Sequence, residues 1–417
     1  MSKNILIVQN YNINKGDVSV VHAMQYSLKQ TFPEIEINLT SYDPVKAEKE
    51  YGADAAYWLI DYSHIKKSNS FIRKIFSLVN EFVWLAYSWI WVNLYSKGII
   101  RKGLMPQKRK KTIDLYLKAD VVVLPGGHFF TTLNKFPVLF SHFYSIWFAK
   151  KLGKKTMIYA HTIGPFNGLW GRIAHKLTNK VINFCDKITV RESDSLKYNL
   201  KEKMILTGET VFLKKNVKDV PLDTSVLKGK DKLVGITIHH IYYSQFFTRD
   251  EYIRIMVDIL NRIIENYGFD VLFIPMESYR NKEGGDRKMI KDIRDQVEKY
   301  DKTQVVKGDR TPEETEKIIS TLDFFIGTKT HSIVYALKNC IPTISIAYQE
   351  KSNEFMKTFN VRENSIDLKS LNVQDFIEIF DRVANNPQKY RQIERTSLKE
   401  VVKNARKNNE VLFELIK

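Results

Sequence analysis

The chain has 417 residues, 44% hydrophobic and 27% charged, which is enough apolar material for two cores and excludes a disordered or fibrous protein. With 65 basic against 47 acidic residues the net charge is +18, a general attraction for anions, but no arginine-rich tail, helix-turn-helix, zinc knuckle or aromatic-basic strand signature accompanies it, so nucleic acid is set aside as a partner. Two cysteines, Cys185 and Cys340, each beside an apolar segment, exclude a disulfide framework and fit the cytoplasm.

The N-terminal run MSKNILIVQN is too short for a signal peptide and has no small-residue cleavage site behind it, so it reads as a first strand. A helix from about Val18 follows, then EIEINLT, DVVVLPGG, a helix near Val138 to Lys151, KTMIYA, KITV and KMILTG. After a charged connection, Lys214 to Lys232, a second series runs LVGITIHH, DVLFIPM, TQVV, DFFIGT and PTISIAY, with helical stretches between. This alternation predicts two Rossmann-like α/β/α domains facing a cleft. The expected boundaries are residues 1–220 and 221–390, with a C-terminal helix over 391–417.

Phe71 to Ile100 breaks the rhythm, and an insertion is expected over about 69–112. Its central part, Ile75 to Tyr95, is almost long enough to span a bilayer, yet Lys74, Ser77, Asn80, Glu81 and Ser88 recur at helical spacing and make one face polar. Trp84, Trp89 and Trp91 suit a membrane interface, and Arg101, Lys102, Lys108, Arg109, Lys110 and Lys111 follow. A helix lying in the membrane surface is the expectation, with packing on the protein or on another subunit, and then a true membrane span, as the alternatives.

No GxGxxG, Walker A, DxD, CxxC or HExxH motif occurs, so any phosphate must be held by cations and backbone amides. Candidates sit at expected strand ends. NINKGD places Gly16 where backbone can approach an anion, LPGGHFF supplies a Gly-Gly turn and His128, and HTIGPF supplies His161. Arg191 directly follows the strand KITV, well placed for a bidentate contact with carboxylate or phosphate. IGTKTHS puts Lys329 and His331 at one strand end, and PTISIAY puts Tyr348 and Lys351 at the next, so adjacent parallel strands bring these groups together.

In order and spacing these elements resemble the polysaccharide pyruvyl transferase family over roughly Asn4 to Phe359. The matching residues are Asn14-Lys15-Gly16-Asp17, Pro125-Gly126-Gly127, Gly164-Pro165, Arg191-Glu192-Ser193-Asp194-Ser195, Lys329-Thr330-His331-Ser332, Pro342 and Tyr348-Gln349-Glu350-Lys351. The sequence departs from the family pattern at Lys329, where an arginine is usual, and in the Trp-rich insertion. The resemblance implies a GT-B-like fold and ketal formation from phosphoenolpyruvate as co-substrate, with no cofactor and no metal. It implies His331 as general acid/base; Arg191, Lys329, Lys351, Ser332 and Tyr348 on the donor; and Asn14, Gly16, Asp17, Gly126, Gly127 and His128 on a lipid-linked or polymeric sugar acceptor.

The expected location is cytoplasmic, peripheral on the inner face of the cell membrane, and homo-oligomerisation is left open. Two alternatives stand beside this reading. One is a GT-B glycosyltransferase holding a nucleotide sugar with Glu313-Glu314; the other is a non-catalytic membrane-associated scaffold.

Overall fold

The computed structural model describes residues 3–12, 15–60, 71–101, 105–132, 136–198, 204–214, 217, 232–277 and 285–417. The chain divides into two compact units, Met1–Lys214 with Val402–Lys417, and Lys215–Val401.

The first unit is built on seven parallel strands, β1 (Asn4–Asn10), β2 (Glu36–Ser41), β3 (Ala55–Tyr57), β4 (Val121–Leu124), β5 (Lys155–His161), β6 (Lys187–Val190) and β7 (Met204–Leu206), in the order β3-β2-β1-β4-β5-β6-β7. The central strands are apolar on both faces, as helices on both sides of a parallel sheet require. The order reverses between β1 and β4, and ligands of such sheets collect beyond the carboxyl ends of the strands at that point.

The second unit repeats the arrangement with six strands, β8 (Leu233–Ile236), β9 (Asp270–Phe273), β10 (Thr303–Val305), β11 (Phe324–Gly327), β12 (Thr343–Ala347) and β13 (Ser365–Asp367). Their order is β10-β9-β8-β11-β12-β13, so the reversal falls between β8 and β11. Helix starts are chemically marked: Thr248 with Glu251, and Thr311 with Glu314, form reciprocal capping boxes.

Among the described helices of the first unit are α1 (Lys15–Thr31), α2 (Pro44–Tyr51), α3 (Phe71–Ser96), α4 (Gln107–Lys118), α5 (Phe136–Lys151) and α6 (Gly168–Phe184). In the second unit they include α7 (Arg249–Tyr267), α8 (Gly285–Arg294), α9 (Pro312–Ile319), α10 (Thr330–Lys338), α11 (Glu350–Thr358) and α12 (Val373–Asn385). The last helix, α13 (Pro387–Ile416), begins in the second unit and ends in the first, where Phe413 stacks on Phe32 and Asn409 accepts a hydrogen bond from the Tyr159 hydroxyl at 2.6 Å.

The Trp-rich segment is a single 26-residue helix, and its facing differs from the sequence reading. Glu81 and Ser88, expected on an outward polar face, point inward with Trp84, Trp91 and Val92. Glu81 pairs with Arg109, the Trp84 Nε1 donates to the Leu59 carbonyl at 2.7 Å, and Ser88 Oγ meets the Tyr144 hydroxyl at 2.8 Å. Arg109 is therefore a buried partner, not one of the free cations beside a membrane. Its charge can sit there because Glu81 and the carbonyls of Trp58 and Leu59 surround it. The outward stripe is instead apolar, running through Ile72, Phe76, Val79, Phe82, Val83 and Ile90, with Phe76 at 76% exposure. By length and composition the stretch Ile75–Ser96 would also cross a bilayer, but its inner face belongs to the core of the first unit.

Candidate functional site

In the second unit, β11 and β12 pair in parallel and each runs directly into a helix. His331 is in the first turn of α10 and Lys351 in the first turn of α11. Their neighbours are joined: Thr330 Oγ1 and Ser352 Oγ lie 2.9 Å apart. Both hydroxyls are buried, so the two helix starts are held side by side with half-buried His331 and Lys351 flanking the bond. Tyr348 closes this edge by stacking on Tyr242 at 4.4 Å and meeting the His239 ring at 4.6 Å with the planes tilted by 57°, and burial raises its pKa.

Lys329 reaches the same edge already neutralised. Its Nζ lies 2.9 Å from Glu277 Oε1 and 3.2 Å from Asp286 Oδ2, and Asp286 also accepts from the amides of Met276 and Glu277. Ser332 is fully buried, donating to the Lys329 carbonyl at 2.7 Å and meeting Thr237 Oγ1 at 2.9 Å. It ties the β8 end to α10 from beneath the surface.

Four groups at this edge were missed by sequence reasoning: His239, His240, Glu277 and Asp286. His240 Nδ1 lies 3.2 Å from Glu277 Oε1. His239 accepts from the Ile241 amide through Nδ1 and is held neutral, its pKa pushed down to about 3 by burial and then by Lys329. In the sequence both histidines close an apparent strand, LVGITIHH, whereas the strand itself ends at Ile236 and leaves them past its carboxyl end.

Arg191, grouped by the sequence reading with Lys329 and Lys351, lies in the first unit. Its side chain is 2% exposed; NH1 donates to Glu209 at 2.5 Å, Nε to Thr162 at 2.8 Å and NH2 to the Gly127 carbonyl at 3.4 Å. Burial opposes the charge, but Glu209, Glu192 and Asp17 outweigh it and raise the pKa. In this arrangement the guanidinium is enclosed by its own unit and positions the loops after β4, β5 and β7.

The other acceptor-side candidates occupy that edge too. Gly16, Gly126 and Gly127 are buried, and Asn14 falls outside the described residues. A Cβ on Gly126 would stand 3.0 Å from the Ala160 carbonyl and 3.2 Å from Val20, so the residue is needed for close packing rather than for an open surface. Asp17 is half-buried in the first turn of α1, and half-buried His128 bonds the Gly164 carbonyl through Nε2. His161 is a buried crosspiece, accepting from the Phe129 amide at 3.2 Å and donating to the Pro125 carbonyl at 3.2 Å; burial holds it neutral. Among the residues invoked for nucleotide-sugar binding, Glu314 is engaged in the cap of α9.

The family model for polysaccharide pyruvyl transferases matches residues 14–350. AmsJ of Erwinia amylovora, an amylovoran biosynthesis protein, is 24% identical over 437 residues, 99% of each chain. Among solved structures, the UDP-GlcNAc 2-epimerase of Neisseria meningitidis bound to UDP-GlcNAc superposes with a TM-score of 0.58 at 13% identity, over 99% of both chains. Anabaena HepE in complex with UDP gives 0.57 at 9% identity, over 99% of this chain and 98% of that one. At these identities the likeness is one of fold, the two-domain GT-B-like α/β architecture.

Proposed function

The chain belongs to the polysaccharide pyruvyl transferase family, and from that premise we propose that it builds a pyruvate ketal on a sugar of a cell-surface polysaccharide or its lipid-linked precursor, using phosphoenolpyruvate as donor. In this reaction the methylene carbon of the enolpyruvyl group takes a proton, two sugar hydroxyls add in turn to the central carbon, and phosphate leaves with its electron pair. One hydroxyl proton replaces the proton given to the methylene and the other departs with phosphate, so the balance closes without oxidant or metal. The observation that carries the reading is the Thr330–Ser352 bond, which joins the starts of α10 and α11, the helices whose first turns carry His331 and Lys351.

His331 serves as the acid and then the base, since an imidazole exchanges protons near neutral pH. Lys351, with Lys329, supplies positive charge for the donor's carboxylate and phosphate. Tyr348 walls the donor on one side. The apolar stripe of α3 rests on an anionic lipid surface, with exposed Lys97, Arg101 and Lys110 at and beyond its C-terminal end supplying the complementary charge, and this keeps the enzyme peripheral on the inner face of the membrane.

Calorimetric titration of phosphoenolpyruvate, with UDP-N-acetylglucosamine as comparator, tests the donor. Wild type binds phosphoenolpyruvate selectively, and Lys351→Ala weakens that binding roughly tenfold or more. Binding of the nucleotide sugar alone would replace this reading with the glycosyltransferase.

A further inference from the structure

In the first unit α3, α4, α5 and α6 share one apolar cluster with the sheet, while α1, α2 and α13 pack against its opposite face. Between Asp120 and Asp186 the chain has no aspartate or glutamate, and α5 and α6 both lie inside that interval. The one acid of α3, Glu81, is buried against Arg109. Three helices on the same side of the sheet therefore offer solvent no carboxylate.

The outer side of α6 interleaves apolar and cationic residues. Leu169, Arg172, Ile173, Lys176, Lys180 and Phe184 recur at helical spacing and are all exposed, Leu169 at 82% and Ile173 at 53%. Gly171, Ala174, Thr178, Val181 and Ile182 turn to the core instead. Single apolar residues on a surface are ordinary, and a solvated face ordinarily mixes charges of both signs. Here every charged member is a cation. α5 packs against both α3 and α6, and its half-buried Phe140, Phe143 and Trp147 add aromatic surface to the same layer, with Lys151 Nζ 5.8 Å from the Trp147 ring centroid.

We propose that α6 is a second lipid-contacting helix of the first unit, with Leu169, Ile173 and Phe184 entering the interface of an anionic bilayer and Arg172, Lys176 and Lys180 meeting its phosphate groups. Apolar side chains beside lysine and arginine on one helical face suit that surface, where burial and charge attraction act together. A second copy of the chain fits this face poorly, because cation would meet cation across a two-fold contact. The second contact rests on the peripheral reading of α3 and extends it: two helices on the surface fix the rotation of the unit, which one helix leaves open. The loop Thr162–Asn167 before α6 is tied to the turn after β4, the Thr162 amide donating to the Gly127 carbonyl at 2.9 Å and the Gly164 amide to the Phe130 carbonyl at 2.8 Å. Leu169, in the first turn of α6, thus brings lipid contact to the sheet edge proposed for a lipid-linked acceptor.

The test places a polarity-sensitive, thiol-reactive fluorophore on Leu169→Cys, which is feasible because native Cys185 and Cys340 are buried. Glu410→Cys, exposed on α13 at the opposite face of the sheet, is the control. With vesicles containing phosphatidylglycerol the label at 169 should shift to the blue and brighten about twofold or more, and the label at 410 should not. Cosedimentation with the same vesicles should fall roughly tenfold for Leu169→Ser with Ile173→Ser, and roughly tenfold for Lys176→Gln with Lys180→Gln, while the melting temperature stays near wild type. No shift at 169 in a protein that cosediments through α3 overturns the second contact and leaves the first. A shift at 169 with cosedimentation insensitive to Phe76→Ser and Val83→Ser keeps α6 and removes α3. Equal shifts at 169 and 410, or no cosedimentation of wild type, overturn the contact of α6. Loss of a dimer in Leu169→Ser with Ile173→Ser, read by light scattering without any lipid response, gives the face to a second copy instead.

Discussion

Glu277 and Lys329 meet at 2.9 Å on the carboxyl edge of the second sheet, and Asp286 adds a second carboxylate to the same ammonium at 3.2 Å. A donor with carboxylate and phosphate must therefore compete for Lys329 or bind beside a neutralised cation. Asp286 is buried and fixed by two backbone amides, whereas Glu277 is the more exposed partner, so Glu277 is the group that yields. Glu277→Gln raises the charge of the edge by one while an amide oxygen still accepts from Lys329. Phosphoenolpyruvate affinity should rise several-fold, on the order of 1 kcal/mol at surface-like screening, read by calorimetry at two salt concentrations. Unchanged or weaker binding would place Glu277 outside the donor's reach.

His331 carries the proposed proton transfers from the first turn of α10, where it is half-buried and beside the Thr330–Ser352 bond. His331→Ala should lower phosphate release from phosphoenolpyruvate by about 10²–10⁴-fold once an acceptor is supplied, with donor affinity little changed. Near-normal turnover in the folded variant would take the residue out of the chemistry.

Much of this was legible because buried parallel strands are continuous apolar runs: VVVL and FFIG announce themselves in the sequence. The strands Ala55–Tyr57 and Ser365–Asp367 did not, since three residues carry no periodicity and take their extended form from their neighbours. His331 and Lys351 were found through strand order, but His239 and His240 were hidden inside an apparent strand that stops three residues before the first of them. For α3 the sequence shows which residues share a face and not which face packs. Glu81 and Ser88 go inward because Arg109 and Tyr144, far along the chain, satisfy them.

That inversion gives a direct test on membranes. Phe76→Ser with Val83→Ser removes two apolar groups from the outer stripe and none from the core, since both side chains are more than half exposed. Cosedimentation with vesicles containing phosphatidylglycerol should fall roughly tenfold or more for the pair, given about 1.5–3 kcal/mol per buried large apolar side chain, while the melting temperature stays near wild type. Equal cosedimentation would assign the stripe to another partner.

His142 offers a test of the first unit's interior through pH. Its ring stacks on Phe129 with centroids 4.2 Å apart, its Nδ1–H donates to the Val138 carbonyl at 2.7 Å, and burial pushes its pKa down to about 4. Unfolded histidine has a pKa of about 6.5, so on acidification the unfolded chain takes a proton that the folded chain refuses. The contribution of this group is thus fully present above pH 6.5 and is lost progressively as pH falls toward 4. The slope for one such group is about 1.4 kcal/mol per pH unit, or roughly 2 kcal/mol between pH 6.5 and 5. His142→Phe keeps an aromatic ring against Phe129 and removes the titration. Chemical denaturation at pH 7, 6 and 5 should show the stability difference between variant and wild type shifting toward the variant by about that amount, because His161, although coupled to His142, stays neutral through burial in both proteins. Parallel stability curves would mean that the His142 ring is protonated in place within the folded unit.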